Sequence, residues 1–152
     1  MLVLLFAIHD DAFALPAARV EAVLPLLRIA KVPGAPRELA GVAKLHGQPL
    51  PVVDLGVLAG GPPTPALYGS RILLVRLPDS SGEKRRVGVL AERVTDLRAC
   101  PDCRTENFLV DLPRGPKDAG ENPGQLLVQW LDLARLVPPS LVETITVLVH
   151  SS

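Results

Sequence analysis

Two cysteines three positions apart, in the stretch CPDC at residues 100–103, are the sharpest chemical feature of this chain. A Cys-x-x-Cys pair can lower a thiol pKa and run disulfide exchange. A redox pair of that kind should open a helix beside a βαβ sheet. Here Cys100 and Cys103 stand before a loop in a chain of strand-like segments. A zinc site would need two further ligands. His9, His46 and His150 are scattered, with no His-x-x-His and no second cysteine pair. Both thiols therefore read as incidental, with a thiol oxidoreductase using Cys100 and Cys103 as the enzyme-class alternative. The remaining polar residues fit structural roles better. Asp54 and Asp132 each close a strand-like phrase just before a helical turn, where a carboxylate caps the turn's amides for ~1 kcal/mol. Neither has a carboxylate or histidine partner within its phrase, so general acid–base work is not indicated. Gly60 and Gly61 lack the spacing of a phosphate-binding loop. Ser70, Ser80 and Ser81 lie in no nucleophile elbow. No catalytic set assembles, and no metal or cofactor is implied.

The elements around these residues are short. Sixteen prolines and twelve glycines cut the 152 residues into pieces too brief for long helices. Apolar residues make up 48% and aromatics 3%, so the core must be aliphatic. Sixteen basic residues balance sixteen acidic ones. That excludes the basic excess of nucleic-acid and anionic-membrane binders. No apolar run reaches the ~18 residues of a membrane span. The apolar start, MLVLLFAI, has no Lys or Arg before it and runs straight into HDD, so it reads as a first strand rather than an export signal. With two cysteines and no such signal, a reducing cytoplasm is expected.

Residues 2–8 and 12–16 read as a hairpin, and residues 18–25 as a strand or a helical turn. Residues 31–38 form a loop. Residues 39–45 and 49–55 flank His46 and Gly47 as a second hairpin. Pro49 and Pro51 sit two apart on one side of the ladder, which suits an edge strand or a strand start. Residues 60–65 are a linker. Residues 71–77, 86–94 and 125–133 read as strands around a polar loop at 78–85 and a long loop at 113–124. The β-branched tail, LVETITVLVH, predicts a last strand.

Two phrases occur twice. FALPAARVEAVLP at residues 13–25 aligns with VGVLAERVTDLRACP at 87–101, a spacing of 74. GQPLPVVDLGVLAG at 47–60 returns as GQLLVQWLDLARL at 124–136, with Asp54 and Asp132 78 apart. Two matches at nearly one spacing argue for a duplicated unit of roughly 75 residues. About five short strands per unit predict a small closed barrel. Two such barrels would pack side by side, leaving a groove at the seam.

The stretch VPGAPRELAGVAKLHGQPLPVVDL at residues 32–55 resembles the signature of the CheW-like domains, coupling proteins of bacterial chemosensory arrays. That signature reads approximately Pro-Asn-x-Pro, Gly-Val-x-Asn-Leu-Arg-Gly, then Pro-Val-x-Asp-Leu. Gly41, Gly47 and Asp54 match it. The repeated phrases resemble the family's early strand, the strand opening its second half, and its closing strand with a short helix. The resemblance implies a mainly β fold of two five-stranded SH3-like barrels with few short helices. It implies one CheW-like domain over residues 1–152, with subdomains at about 1–60 and 70–138 and a tail at 139–152. It also implies a non-catalytic cytoplasmic adaptor at membrane-associated receptor arrays, joining the regulatory domain of a CheA-type histidine kinase to the chemoreceptor cytoplasmic tip. By position, Val20, Ala22 and Val23 from one barrel and Val89 and Leu90 from the other line the partner groove, with His46 a further contact. Gly41, Gly47, Asp54 and Asp132 are structural. His46 stands where the family carries Arg, Lys44 where it carries Asn, Ala22 where it carries Glu, and Gly56 where a basic residue is common. A neutral imidazole cannot reproduce the fixed donor fork of Arg. The alternative is therefore a divergent CheW-like protein that binds the kinase, or another partner, without receptors.

Overall fold

Leucine- and valine-rich runs bounded by turn residues become ten strands among the described residues. The structure is a computed structural model that describes residues 2–67, 69–95, 97–99, 108–111 and 125–150. A hairpin, β1 (Leu2–Ile8) and β2 (Asp11–Pro16), is followed by a 3-10 turn at Ala17–Arg19 and by β3 (Val20–Leu24). Next come β4 (Leu39–Leu45), β5 (Gln48–Asp54) and the short helix α1 (Leu55–Leu58). The hairpin of β6 (Arg71–Pro78) and β7 (Lys84–Ala91) precedes β8 (Leu97–Ala99), β9 (Phe108–Asp111) and β10 (Gln125–Trp130). Two helices, α2 (Leu133–Leu136) and α3 (Pro139–His150), end the described chain. Cys100, Cys103 and the loop at 113–124 lie outside the described residues.

The strands form two five-stranded sheets, ordered β8-β1-β2-β10-β9 and β3-β6-β7-β5-β4. Shifting every strand by five in the chain turns one order into the other, as the duplicated phrases require. Both sheets join an antiparallel hairpin to a parallel neighbour, β2 with β10 and β7 with β5. The fold is mainly β and of the SH3-like barrel type. The sheets, however, do not divide at the linker as expected for halves at about 1–60 and 70–138. Each takes its leading hairpin from one repeat and its other three strands from the other repeat. The 3-10 turn at Ala17–Arg19 carries the chain out of the first sheet, and β3 then pairs with β6. Residues 92–95 mark the equivalent exit. Glu92 still bridges Ala7, the Thr95 amide reaches the Leu5 carbonyl, and β8 goes on to pair with β1.

Period-two alternation sorts the side chains of the described residues into three cores. Leu4, Phe6 and Ile8 from one sheet meet Leu73, Val75, Val87 and Val89 from the other in the large core between the sheets. Val3, Leu5, Ala14 and Val128 form a small core within the first sheet, and Ala43, Val52, Ile72 and Leu90 one within the second. The expected seam is thus mostly packed core.

The tail is a twelve-residue helix, α3, and not the expected strand. Val142, Ile145 and Val149 are buried at helical spacing, and Val142 and Ile145 join the large core as α3 packs across β5, β6 and β7. That burial outweighs the β-preference of its branched side chains. The two prolines of β5 also read differently in place. This strand is internal to its sheet, but it pairs with β7 only from Val52 onward, while β4 accompanies it throughout. The prolines occupy the part with one neighbour, where a missing N–H costs no ladder bond.

Candidate functional site

Among the described residues the seam carries a cleft of about 820 Å³. Its apolar wall comes from the ends of several elements: Leu15 from β2, Val75 and Leu77 from β6, and Leu133 from α2. All four belong to the large core and are buried, so they floor the cleft, while the half-buried Pro16, Pro78, Trp130 and Leu131 give it an accessible apolar rim. Trp130, the sole tryptophan, is half-buried in it at the end of β10. Arg19, Arg76 and Lys84 supply cationic groups, and Asp132 a carboxylate.

Those cations are not equivalent. The Arg76 Nε donates to Glu21 on the neighbouring strand at 2.6 Å, and Arg86 approaches the other carboxylate oxygen at 3.2 Å. The Arg76 hydrogen bond chiefly holds the Glu21 carboxyl below its usual value, with the charges of both arginines adding and desolvation opposing. Arg76 is therefore largely offset, whereas no ion pair engages Arg19 or Lys84 among the described residues. Below the cleft, Asp79 locks the β6–β7 turn. The Ser81 amide, the Ser81 hydroxyl and the Glu83 amide donate to its Oδ1, and Arg85 donates to its Oδ2. These bonds, led by the Ser81 hydroxyl, lower its pKa to about 2 against the opposing cost of burial.

The residues expected at the partner groove are not gathered in one place. β3 and β7 belong to the same sheet, so Val20 and Val89 do not face each other from separate barrels. Val89 is fully buried in the large core and Leu90 is 8% exposed inside the second sheet, because β7 is covered on both faces. Neither offers a partner contact. Val20 and Ala22 are half-buried and Val23 is 45% exposed. His46 is exposed at the β4–β5 turn, on the opposite edge strand from β3. It takes a left-handed φ of 50° and is followed by Gly47 at 78°, the pair of positive angles that a two-residue hairpin turn demands. A β-carbon on Gly41 would run into the Ala30 carbonyl, so this glycine permits the bridge between Ala30 and Val42.

The two repeated aspartates behave differently. Asp54 is 4% exposed. It accepts from the Gly56 amide at 2.8 Å, from the Thr64 amide at 3.0 Å on each oxygen, and from the Thr64 hydroxyl at 2.6 Å. Asp132 occupies the same capping position before α2 but makes no cap hydrogen bond, and it lies exposed at the cleft. Arg19, Lys84 and Trp130 were not singled out by sequence reasoning. The signal available was the repeat itself, which places Arg19 opposite Arg93 and carries Trp130 within its second phrase.

Among the described residues, no three His, Cys, Asp or Glu side chains gather into a metal-binding group. No described helix is long and apolar enough to cross a membrane. What the cleft offers is an apolar, cation-flanked surface for binding.

The family model described as CheW-like domain matches residues 2–138. Among solved structures, the scaffolding protein TtCheW from Thermoanaerobacter tengcongensis superposes with a TM-score of 0.62. It is 18% identical, over 91% of this chain and 94% of that one. No curated protein matches the chain significantly in sequence.

Proposed function

Because the chain belongs to the CheW-like domain family, we propose that it is a non-catalytic scaffold of a chemosensory system. It holds the regulatory domain of a CheA-type histidine kinase next to the cytoplasmic tip of chemoreceptors, and works in the cytoplasm at their arrays. The observation that carries this reading is the family match over residues 2–138, which spans both sheets. The cleft agrees with it, since half-buried Trp130 and Leu131 beside the exposed Arg19 and Lys84 fit a partner surface. Val20, Ala22, Val23 and His46, which lie outside the cleft, are further accessible partner contacts in this reading. Val89 and Leu90 support them from the core.

A second reading is favoured by His46, which stands exposed where the family carries Arg. In it the chain binds the kinase without receptors. Calorimetric titration of the whole protein with a purified kinase regulatory domain, and separately with a receptor-tip fragment, tests both. Binding of each supports the coupling role. Kinase binding alone selects the second reading, and binding of neither overturns both.

A further inference from the structure

The cleft at Asp132 has a counterpart elsewhere in the fold that the chain itself fills. Under the repeat, Asp54 corresponds to Asp132, Gly56 to Ala134 and Arg93 to Arg19, while the β1–β2 turn corresponds to the β6–β7 turn. In the first site the linker after α1 runs along these counterpart positions, although Arg93 itself stays exposed. The Gly61 amide donates to the Gly56 carbonyl at 3.0 Å, and Gly61 lies against the His9 imidazole of the β1–β2 turn. Thr64 gives its amide and hydroxyl to Asp54. The Gly69 carbonyl accepts from Val94, next to Arg93, at 3.0 Å. In the second site the matching positions, Asp132, Ala134, Arg19 and the flanks of the β6–β7 turn at Pro78 and Lys84, line the open cleft.

We propose that this cleft receives an extended segment of a partner protein, which presents a Ser or Thr hydroxyl to the Asp132 carboxylate and acidic side chains to Arg19 and Lys84. The hydroxyl follows from Thr64, which performs that task at Asp54. The acidic character follows from the charge the second site has acquired. At the repeat spacing of 74, Lys84 stands where the first site has Asp10, while Arg19 retains the charge of Arg93. An uncharged segment like the linker suits the first site, and the second calls for anions. The two sites also differ in depth. A β-carbon on Gly56 would lie 2.5 Å from the Pro62 carbonyl oxygen and 3.0 Å from the Thr64 nitrogen, and Ala134 carries that carbon. The partner backbone must therefore ride farther out than the linker does, leaving a side-chain hydroxyl, rather than an amide, to reach Asp132. This inference rests on the scaffold reading only in taking the occupant to be a protein.

The test uses the whole protein and a synthetic peptide with the linker's Pro-Pro-Thr-Pro core flanked by Asp and Glu. Trp130 fluorescence and amide NMR shifts at residues 131–134 report occupancy. Saturable shifts are expected. A Thr-to-Val peptide and the Asp132→Asn variant should each weaken binding about tenfold or more, the range of one hydrogen bond to a charged group. A peptide flanked by Lys should not saturate, and Lys84→Glu should abolish the preference for the acidic peptide. Absence of saturable shifts, or equal affinity for the Thr and Val peptides, or for acidic and basic flanks, overturns the proposal. Kinase-domain binding measured on the same preparation keeps the outcomes apart: if it persists while the peptide fails, the scaffold reading stands and this inference falls.

Discussion

Replacing Asp54 and Asp132 by alanine, one at a time, separates two positions that the sequence writes almost identically. The Asp54 carboxylate is buried and accepts from Gly56 and from both the amide and hydroxyl of Thr64. Removing the cap costs ~0.5–2 kcal/mol. Losing hydrogen bonds to a charged acceptor, with a buried donor left behind, costs roughly 1.5–3 kcal/mol. These terms share one side chain and do not add fully, so Asp54→Ala should cost about 3 kcal/mol. For a chain of this size that lowers Tm by roughly 6–12 °C. Asp132 is exposed and makes no cap hydrogen bond, so Asp132→Ala should change stability by less than ~0.5 kcal/mol. Urea unfolding followed by circular dichroism measures both, with an unchanged m-value showing that the midpoint shift reports stability. Equal losses in the two variants would refute the argument, because they would mean that the linker adds nothing to the first site.

The tail gives a test of period. Ile145→Ala should cost ~2–5 kcal/mol as a core truncation, while Val147→Ala, at a position 59% exposed, should stay within ~0.5 kcal/mol. A strand would place both on one face, so similar losses in thermal unfolding would argue against α3. Gly41→Ala should destabilise by ~2–3 kcal/mol, because the new methyl meets the Ala30 backbone rather than a side chain that can turn away. A neutral result in denaturant titration would mean that the Ala30–Val42 bridge yields easily. The Asp79 carboxyl, lowered from 3.8 to about 2 in the folded protein, contributes stability that is complete above its ordinary value and lost as pH falls through the folded one. The stability difference between the native protein and Asp79→Asn should therefore shrink as pH drops from 3.8 to about 2. A difference constant over that window would show that the turn does not depend on the carboxylate's charge.

Local patterns carried most of the strand assignments. His46 and Gly47 announced a tight turn, and the flanking apolar runs became β4 and β5. The duplicated phrases announced equivalent elements, and the common sheet order follows from them. Pairing partners left no such mark. Nothing local in β2 says that its neighbours are β1 and the distant β10, so the exchanged hairpins were illegible. Val89 and Leu90 read as strand, but β7 is covered on one face by β1 and α3 and on the other by the small core inside its own sheet, which the strand's own residues do not encode. The tail misled for a related reason. Thr144, Ile145, Thr146 and Val147 favour extended backbone as a run, whereas the positions that matter, Val142, Ile145 and Val149, are spaced for a helix. Asp54 and Asp132 look alike because their difference lies in Thr64, ten residues beyond Asp54.

A chain holding only the first five strands would present a hairpin with no sheet to complete and a three-strand sheet lacking its central pair. Two such chains would satisfy one another by trading hairpins about a two-fold axis, the least costly route to a dimer. Covalent fusion turns that trade into an internal one, where tethering sets an effective concentration on the order of millimolar. Neither sheet can then open without taking strands away from the other, so the protein should melt in a single transition despite its two-part architecture. Partners gripping either sheet would hold a body that cannot hinge at its midpoint, a mechanical rigidity built in by the crossing of the chain.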